Sequence, residues 1–174
     1  AIHAPHYREK IAYLPHTFQV NDSTRRISEK IPSRKELGLP EKGFVFCNFN
    51  NSYKLTPKDF DIWMRLLSKV PGSVLWLAGT SAAAEANLRK EAGARGVSPD
   101  RLVFKKYTQL LEDHLAQIKL ADLFLDSRYF NAHTTGSDSL WAGLPVLTRL
   151  GDTYASRVAA SLLTAVGLPE LITQ

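Results

Sequence analysis

One cysteine and one methionine occur in 174 residues, and no apolar run approaches the length of a membrane span. With Cys47 alone, no intrachain disulfide can form, which suits a reducing, cytoplasmic setting. No signal peptide is visible, and the chain opens at Ala1 in mid-pattern, as expected for part of something longer. Three chemistries lack their motifs. There is no G-x-G-x-x-G after a strand for a dinucleotide, no G-x-x-x-x-G-K-[ST] for a P-loop, and no G-x-S-x-G elbow for a serine nucleophile. No Cys/His cluster has the spacing of a metal site. The net charge of +5 is modest and its basic residues are scattered, so no nucleic-acid or membrane partner is expected; a small anionic ligand fits the sign.

What is present is a regular alternation. Hydrophobic content of 44% with 22% charged residues is ordinary for a globular chain, and the length suits one domain. Residues 1–43 lack a sustained period and read as an extended lead-in with one short strand. Ser33 and Glu36 have capping-box spacing there, and Gly38 is a stop. From Phe44 onward, apolar runs at 44–49, 73–79, 102–104, 123–125 and 146–148 predict five strands. Between and after them, helices are predicted at 56–70, 81–96, 109–120, 134–143 and 153–166. Thr56-Pro57 is a cap followed by proline at the first helical position. This rhythm predicts an α/β domain over 44–174, a Rossmann-like open parallel sheet with helices on both faces. Such sheets bind ligands outside the strand carboxyl ends, so the informative loops follow Phe49, Gly79, Phe104, Leu125 and Thr148. Trp63, Trp76 and Trp141 fall on core-facing positions, and Cys47 lies inside a strand, remote from chemistry.

The stretch His133-Thr-Thr-Gly-Ser-Asp138 follows the fourth apolar run and opens a helix. Unpartnered N–H groups and the helix dipole favour an anion at such a start, and Asp138 one turn further in suits a ribose hydroxyl. The alternative is that Thr134 or Thr135 is an N-cap and Asp138 a dipole partner.

Several motifs occur in order across 44–173: Cys47-Asn-Phe-Asn-Asn-Ser-Tyr-Lys54, Ser73-Val-Leu-Trp-Leu77, Ala121-Asp-Leu-Phe-Leu-Asp126, Asn131-Ala-His-Thr-Thr135 with Asp138, Leu140-Trp-Ala-Gly143 and Ala155-Ser-Arg-Val-Ala-Ala-Ser161. Together they resemble the O-linked N-acetylglucosamine transferase family. Tyr7 to Phe18 is similar to the segment that leaves the amino-terminal catalytic half in that family. The resemblance implies the donor-binding, carboxyl-terminal half of a GT-B glycosyltransferase. Its reaction would be inverting, free of metal and cofactor, moving N-acetylglucosamine from UDP-GlcNAc to Ser or Thr hydroxyls of an acceptor protein. The partners implied beyond this chain are the amino-terminal half and tetratricopeptide repeats.

By resemblance, Lys54 is the diphosphate-binding and catalytic lysine. His133, Thr134 and Thr135 are the phosphate-binding helix start, Asp138 the ribose-binding acid and His114 the uracil-stacking histidine. The backbone at Gln109 meets the uracil edge, and Asn51 is a phosphate contact where the family has glutamine. Gln117 and Leu111 stand where some members carry arginine and lysine. Arg157, in the last helix, is either phosphate-directed or a helix-to-sheet salt bridge, the second being favoured. Two other classes remain open: a non-catalytic nucleotide-sugar or protein-binding module, and a GT-B enzyme using another UDP-hexose.

Overall fold

A computed structural model describes Pro5 and residues 7–174; the rest of the amino-terminal part of the expected lead-in, with His3 and His6, lies outside the described residues. Five helix–strand units follow the lead-in. The strands are β1 (Val45–Asn48), β2 (Val74–Ala78), β3 (Leu102–Lys105), β4 (Leu123–Leu125), β5 (Val146–Arg149) and β6 (Ile172–Thr173). The helices are α1 (Pro57–Lys69), α2 (Ala82–Ala94), α3 (Leu111–Ile118), α4 (Thr134–Trp141) and α5 (Val158–Ala165). All strand pairings are parallel, in the order β3-β2-β1-β4-β5-β6. β6 goes beyond the five expected strands. Two residues behind Pro169 carry too little pattern to be read, and pairing with Thr148 and Arg149 is what makes them a strand.

The apolar strands are buried because both faces are covered. Phe46, Leu75, Leu77 and Leu102 pack with Phe60, Trp63, Met64 and Leu67 of α1 and Ala92 of α2. Val45, Cys47, Val74 and Trp76 alternate to the other face, against Leu115 and Ile118 of α3 and Leu163 of α5. Period-two alternation along β1 and β2 thus assigns each side chain to one helix layer. α1 begins where its sequence says: the Thr56 hydroxyl accepts from the Asp59 N–H, and Pro57 occupies the first helical position.

Two segments differ from their expected form. Residues 7–33 contain no helix or strand, yet the lead-in is fastened to the domain. Ser161 Oγ donates to Thr17 Oγ1 (3.0 Å), Arg25 pairs with Asp138, and Arg34 pairs with Asp122 (2.9 Å). Ile27 and Leu37 pack on the core, and Leu39 is buried in it. The helix expected over 153–166 is split. Thr153 and Ser156 bond reciprocally around a single 3-10 turn, Tyr154–Ser156, and α5 starts only at Val158. That turn is tight because Gly151 presses on it: a Cβ there would sit 2.3 Å from Ser156 Oγ.

Candidate functional site

The strand order reverses between β1 and β4. In open parallel sheets, chains leaving two such neighbours diverge at their carboxyl ends, which is where ligands bind. A buried polar network lines this junction. Asn48 Nδ2 donates to the Leu125 carbonyl (2.7 Å), and its Oδ1 accepts from the Asn50 N–H (3.0 Å). Asp126 accepts from the N–H groups of Ser127 (2.8 Å) and Ala132 (2.7 Å), from Thr148 Oγ1 (2.7 Å) and from Asn50 Nδ2 (3.3 Å). Even with four donors, burial prevails and raises the Asp126 pKa to about 6. The network ties the loop after β1 to the loop after β4.

Those loops deliver Lys54 and the start of α4 to one place. Lys54 ends a 3-10 turn (Ser52–Lys54); its Nζ donates to the Asn131 carbonyl (2.9 Å) and lies 4.1 Å from the centre of the Phe130 ring. Burial lowers its pKa, with the Asp126 charge opposing. His133 also meets Phe130, ring centres 5.2 Å apart. Its pKa is lowered first by burial and then by the Lys54 charge, while the Ala155 carbonyl opposes. His133 Nε2 is buried without a hydrogen-bond partner. α4 starts at Thr134 with no side-chain cap. The Thr135 hydroxyl donates instead to Asn50 Oδ1 (2.8 Å), so the capping alternative for the two threonines does not hold. The N–H groups of Thr134, Thr135 and Gly136 therefore have no acceptor within the helix, Ser137 being the first to find one.

Asp138 lies beyond the first turn and is buried. Arg25 donates to its Oδ1, and no other described residue bonds Oδ2. Burial raises its pKa, with Arg25 acting against that. The same guanidinium sits 5.1 Å from the centre of the Trp141 ring, whose Nε1 donates to the Arg25 carbonyl (3.3 Å). Trp141 is thus a correction: it is 39% exposed and anchors the lead-in, whereas Trp63 and Trp76 are core residues as expected. Replacing Arg25 with alanine should leave Asp138 buried and unpaired. A loss of about 2 kcal/mol in urea unfolding is expected; an unchanged midpoint would show that the pair contributes nothing.

A second locus lies over the carboxyl ends of β2 and β3. A cavity of about 790 Å³ is lined by Phe49, Gly79, Thr80, Lys105, Gln109 and His114, among others. Gln109 and His114 are therefore brought together at one cavity. Phe49 meets His114 edge-on at 6.4 Å and links the cavity to β1. Burial, then the Lys105 charge, lowers the His114 pKa to about 4, so its ring is neutral and flat-faced at pH 7. Because the folded value lies below that of a free histidine, this group's stabilising contribution is present above about 6.5 and lost as pH falls toward 4. An NMR titration of His114 should find its midpoint near 4; one near 6.5 would place the ring in solvent. Asn51 is exposed and lines a small polar pocket sharing Ala78, Gly79 and Thr80 with the large cavity. Its carbonyl accepts the Lys54 N–H (2.9 Å), so it stands between the two loci.

Asp126 and Arg25 join the site without having been singled out for it, and Asn50 and Lys105 had counted only among the polar residues gathered at strand ends. Asp126 carried a signal of the same kind; Arg25 carried none, its partners lying more than a hundred positions away. Arg157 is corrected too: it is exposed and donates to the Gly151 carbonyl (2.9 Å), making no salt bridge. Cys47 is fully buried, and burial raises its thiol pKa. Among the described residues, no three His, Cys, Asp or Glu side chains gather where a metal ion could be held, and no helix is long and apolar enough to cross a membrane.

Residues 24–174 match the sequence profile of glycosyl transferase family 41. The chain is 41% identical over 167 residues to the probable UDP-N-acetylglucosamine–peptide N-acetylglucosaminyltransferase SEC of Arabidopsis thaliana, covering 93% of this chain and 17% of that protein. It is 43% identical over 142 residues to the UDP-N-acetylglucosamine–peptide N-acetylglucosaminyltransferase of Caenorhabditis elegans, covering 82% and 12%. Among solved structures, a mutant O-GlcNAc transferase of Thermobaculum terrenum superposes with a TM-score of 0.72 at 31% identity, covering 76% of this chain and 26% of that one. The chain thus spans less than a fifth of the length of these two curated relatives.

Proposed function

The chain belongs to glycosyl transferase family 41, and we propose that it is the donor-nucleotide half of a GT-B enzyme that moves N-acetylglucosamine from UDP-GlcNAc to Ser or Thr hydroxyls of proteins. The observation that carries this reading is the convergence of Lys54 with the open start of α4 at the strand-order reversal. As the bond from sugar to diphosphate breaks, negative charge grows on the departing UDP. An ammonium and a fan of fixed N–H groups stabilise that charge without reorganising.

In this reading Lys54 acts on the diphosphate with the N–H donors that Asn131 leaves free. The Thr134 and Thr135 amides hold phosphate oxygens, and His133 Nε2 gains the partner it lacks. Asp138 receives a ribose hydroxyl on Oδ2 while Arg25 keeps Oδ1 in place. Uracil enters the 790 Å³ cavity against the neutral His114, with the Gln109 backbone at its edge, and Asn51 sits beside the diphosphate path. Charge stabilisation by these groups needs neither metal nor cofactor. The acceptor hydroxyl belongs to the substrate protein and the remaining catalytic groups to an amino-terminal half, with tetratricopeptide repeats beyond it. A cytoplasmic protein, its lone thiol reduced and buried, fits the reading.

The test is UDP release coupled to sugar transfer onto a Ser/Thr acceptor by the full-length protein, with UDP-GlcNAc and UDP-glucose compared. Transfer from UDP-GlcNAc is expected. UDP binding without transfer would favour a non-catalytic module, faster turnover of UDP-glucose would favour another hexose, and no uridine nucleotide binding would end the reading.

A further inference from the structure

Lys105 closes β3 and pairs with Ala78 of β2, so its side chain lies on the sheet face that α3 covers. It is 8% exposed and forms no ion pair among the described residues. Its Nζ donates to Thr108 Oγ1 (2.6 Å) and, at greater length, to the Lys106 carbonyl (3.4 Å). The Thr108 hydroxyl in turn donates to Gln117 Oε1 (3.1 Å). This relay has one direction, lysine to threonine to glutamine, and it fixes where the ammonium points. An ammonium has three donors and no acceptor, so one N–H is left over. Lys105 and His114 line the same cavity, and the lysine's charge acts on that imidazole. A buried cation without a carboxylate is costly unless a ligand completes it.

We propose that Lys105 selects the base: its remaining N–H takes the O4 carbonyl of a uracil lying against His114 and turns away cytosine. The inference rests on the donor-site reading above. Cytosine carries an amino group where uracil carries O4. Against an ammonium, that amino group would set two donors face to face, each stripped of water and unpaired. The Thr108–Gln117 relay holds Lys105 in register for this discrimination, which makes Thr108 a positioning residue.

Titration calorimetry of the full-length protein with UDP and with CDP tests the assignment. The unaltered protein is expected to bind UDP at least about tenfold more tightly than CDP. Lys105→Met should weaken UDP by about tenfold to a hundredfold while CDP stays within about threefold, so the preference collapses. Thr108→Val removes the relay but keeps the charge, and should narrow the preference by several-fold; it decides alone if Lys105→Met does not fold. Folded variants that keep the original UDP-to-CDP ratio would overturn the role of Lys105 and leave the donor site standing. An unaltered protein that binds neither nucleotide would overturn the donor-site reading, and this inference with it.

Discussion

Lys54→Ala in the full-length protein is expected to lower sugar transfer by about 10²–10³-fold, the usual effect of removing one preorganised donor from a developing anion. Stability should change by less than about 1 kcal/mol, because the side chain is only part-buried and makes a single hydrogen bond, to Asn131. The loss should appear chiefly in kcat, since the negative charge on the diphosphate is greatest as the sugar departs. Turnover in the presence of saturating UDP-GlcNAc, with unfolding followed in parallel, checks both halves. An enzyme that keeps its turnover would remove Lys54 from the mechanism. One that loses turnover and fold together would make it a structural residue.

The largest effect on stability is expected at Asp126. Asp126→Ala would strand the N–H groups of Ser127 and Ala132, the Thr148 hydroxyl and the Asn50 amide, all directed at one carboxylate. A loss of about 3 kcal/mol or more in urea unfolding is expected. The site should suffer with it, because Ala132 and Asn50 position the start of α4. Asp126→Asn is the informative partner: Oδ1 can still accept three donors, and Nδ2 can donate to the Thr148 oxygen. Since the folded pKa of Asp126 is raised to about 6, the stability tied to its proton is full below the unfolded value near 4 and lost as pH rises through 6. The stability of the wild type relative to Asp126→Asn should therefore fall between pH 4 and 7. His114 runs in the opposite direction in both proteins and cancels in the difference. A pH-independent difference would show that Asp126 is not a buried, titrating carboxylate.

Legibility followed the distance over which each signal acts. The start of α1 at Thr56-Pro57 and the break at Gly38 depend on neighbours within a turn, and both stand where the residues imply. The apolar runs gave five of the six strands for the same reason. The split before α5 was hidden because the reciprocal Thr153–Ser156 bonds mimic an ordinary cap; only the approach of Gly151 shows that the turn is closed off. Trp141 followed helical spacing to a core assignment, but a segment more than a hundred residues away occupies its face.

By itself the sequence determined the α/β alternation, the two-faced strands and the identity of the polar residues at strand ends, because periodicity and capping are local and survive in one dimension. Only the tertiary structure decided that the β1 and β4 loops meet, that Arg25 reaches Asp138, and that Lys105 lies buried beside His114 without a counter-charge. Strand order and burial set those relations, and both arise from packing between residues the chain keeps far apart.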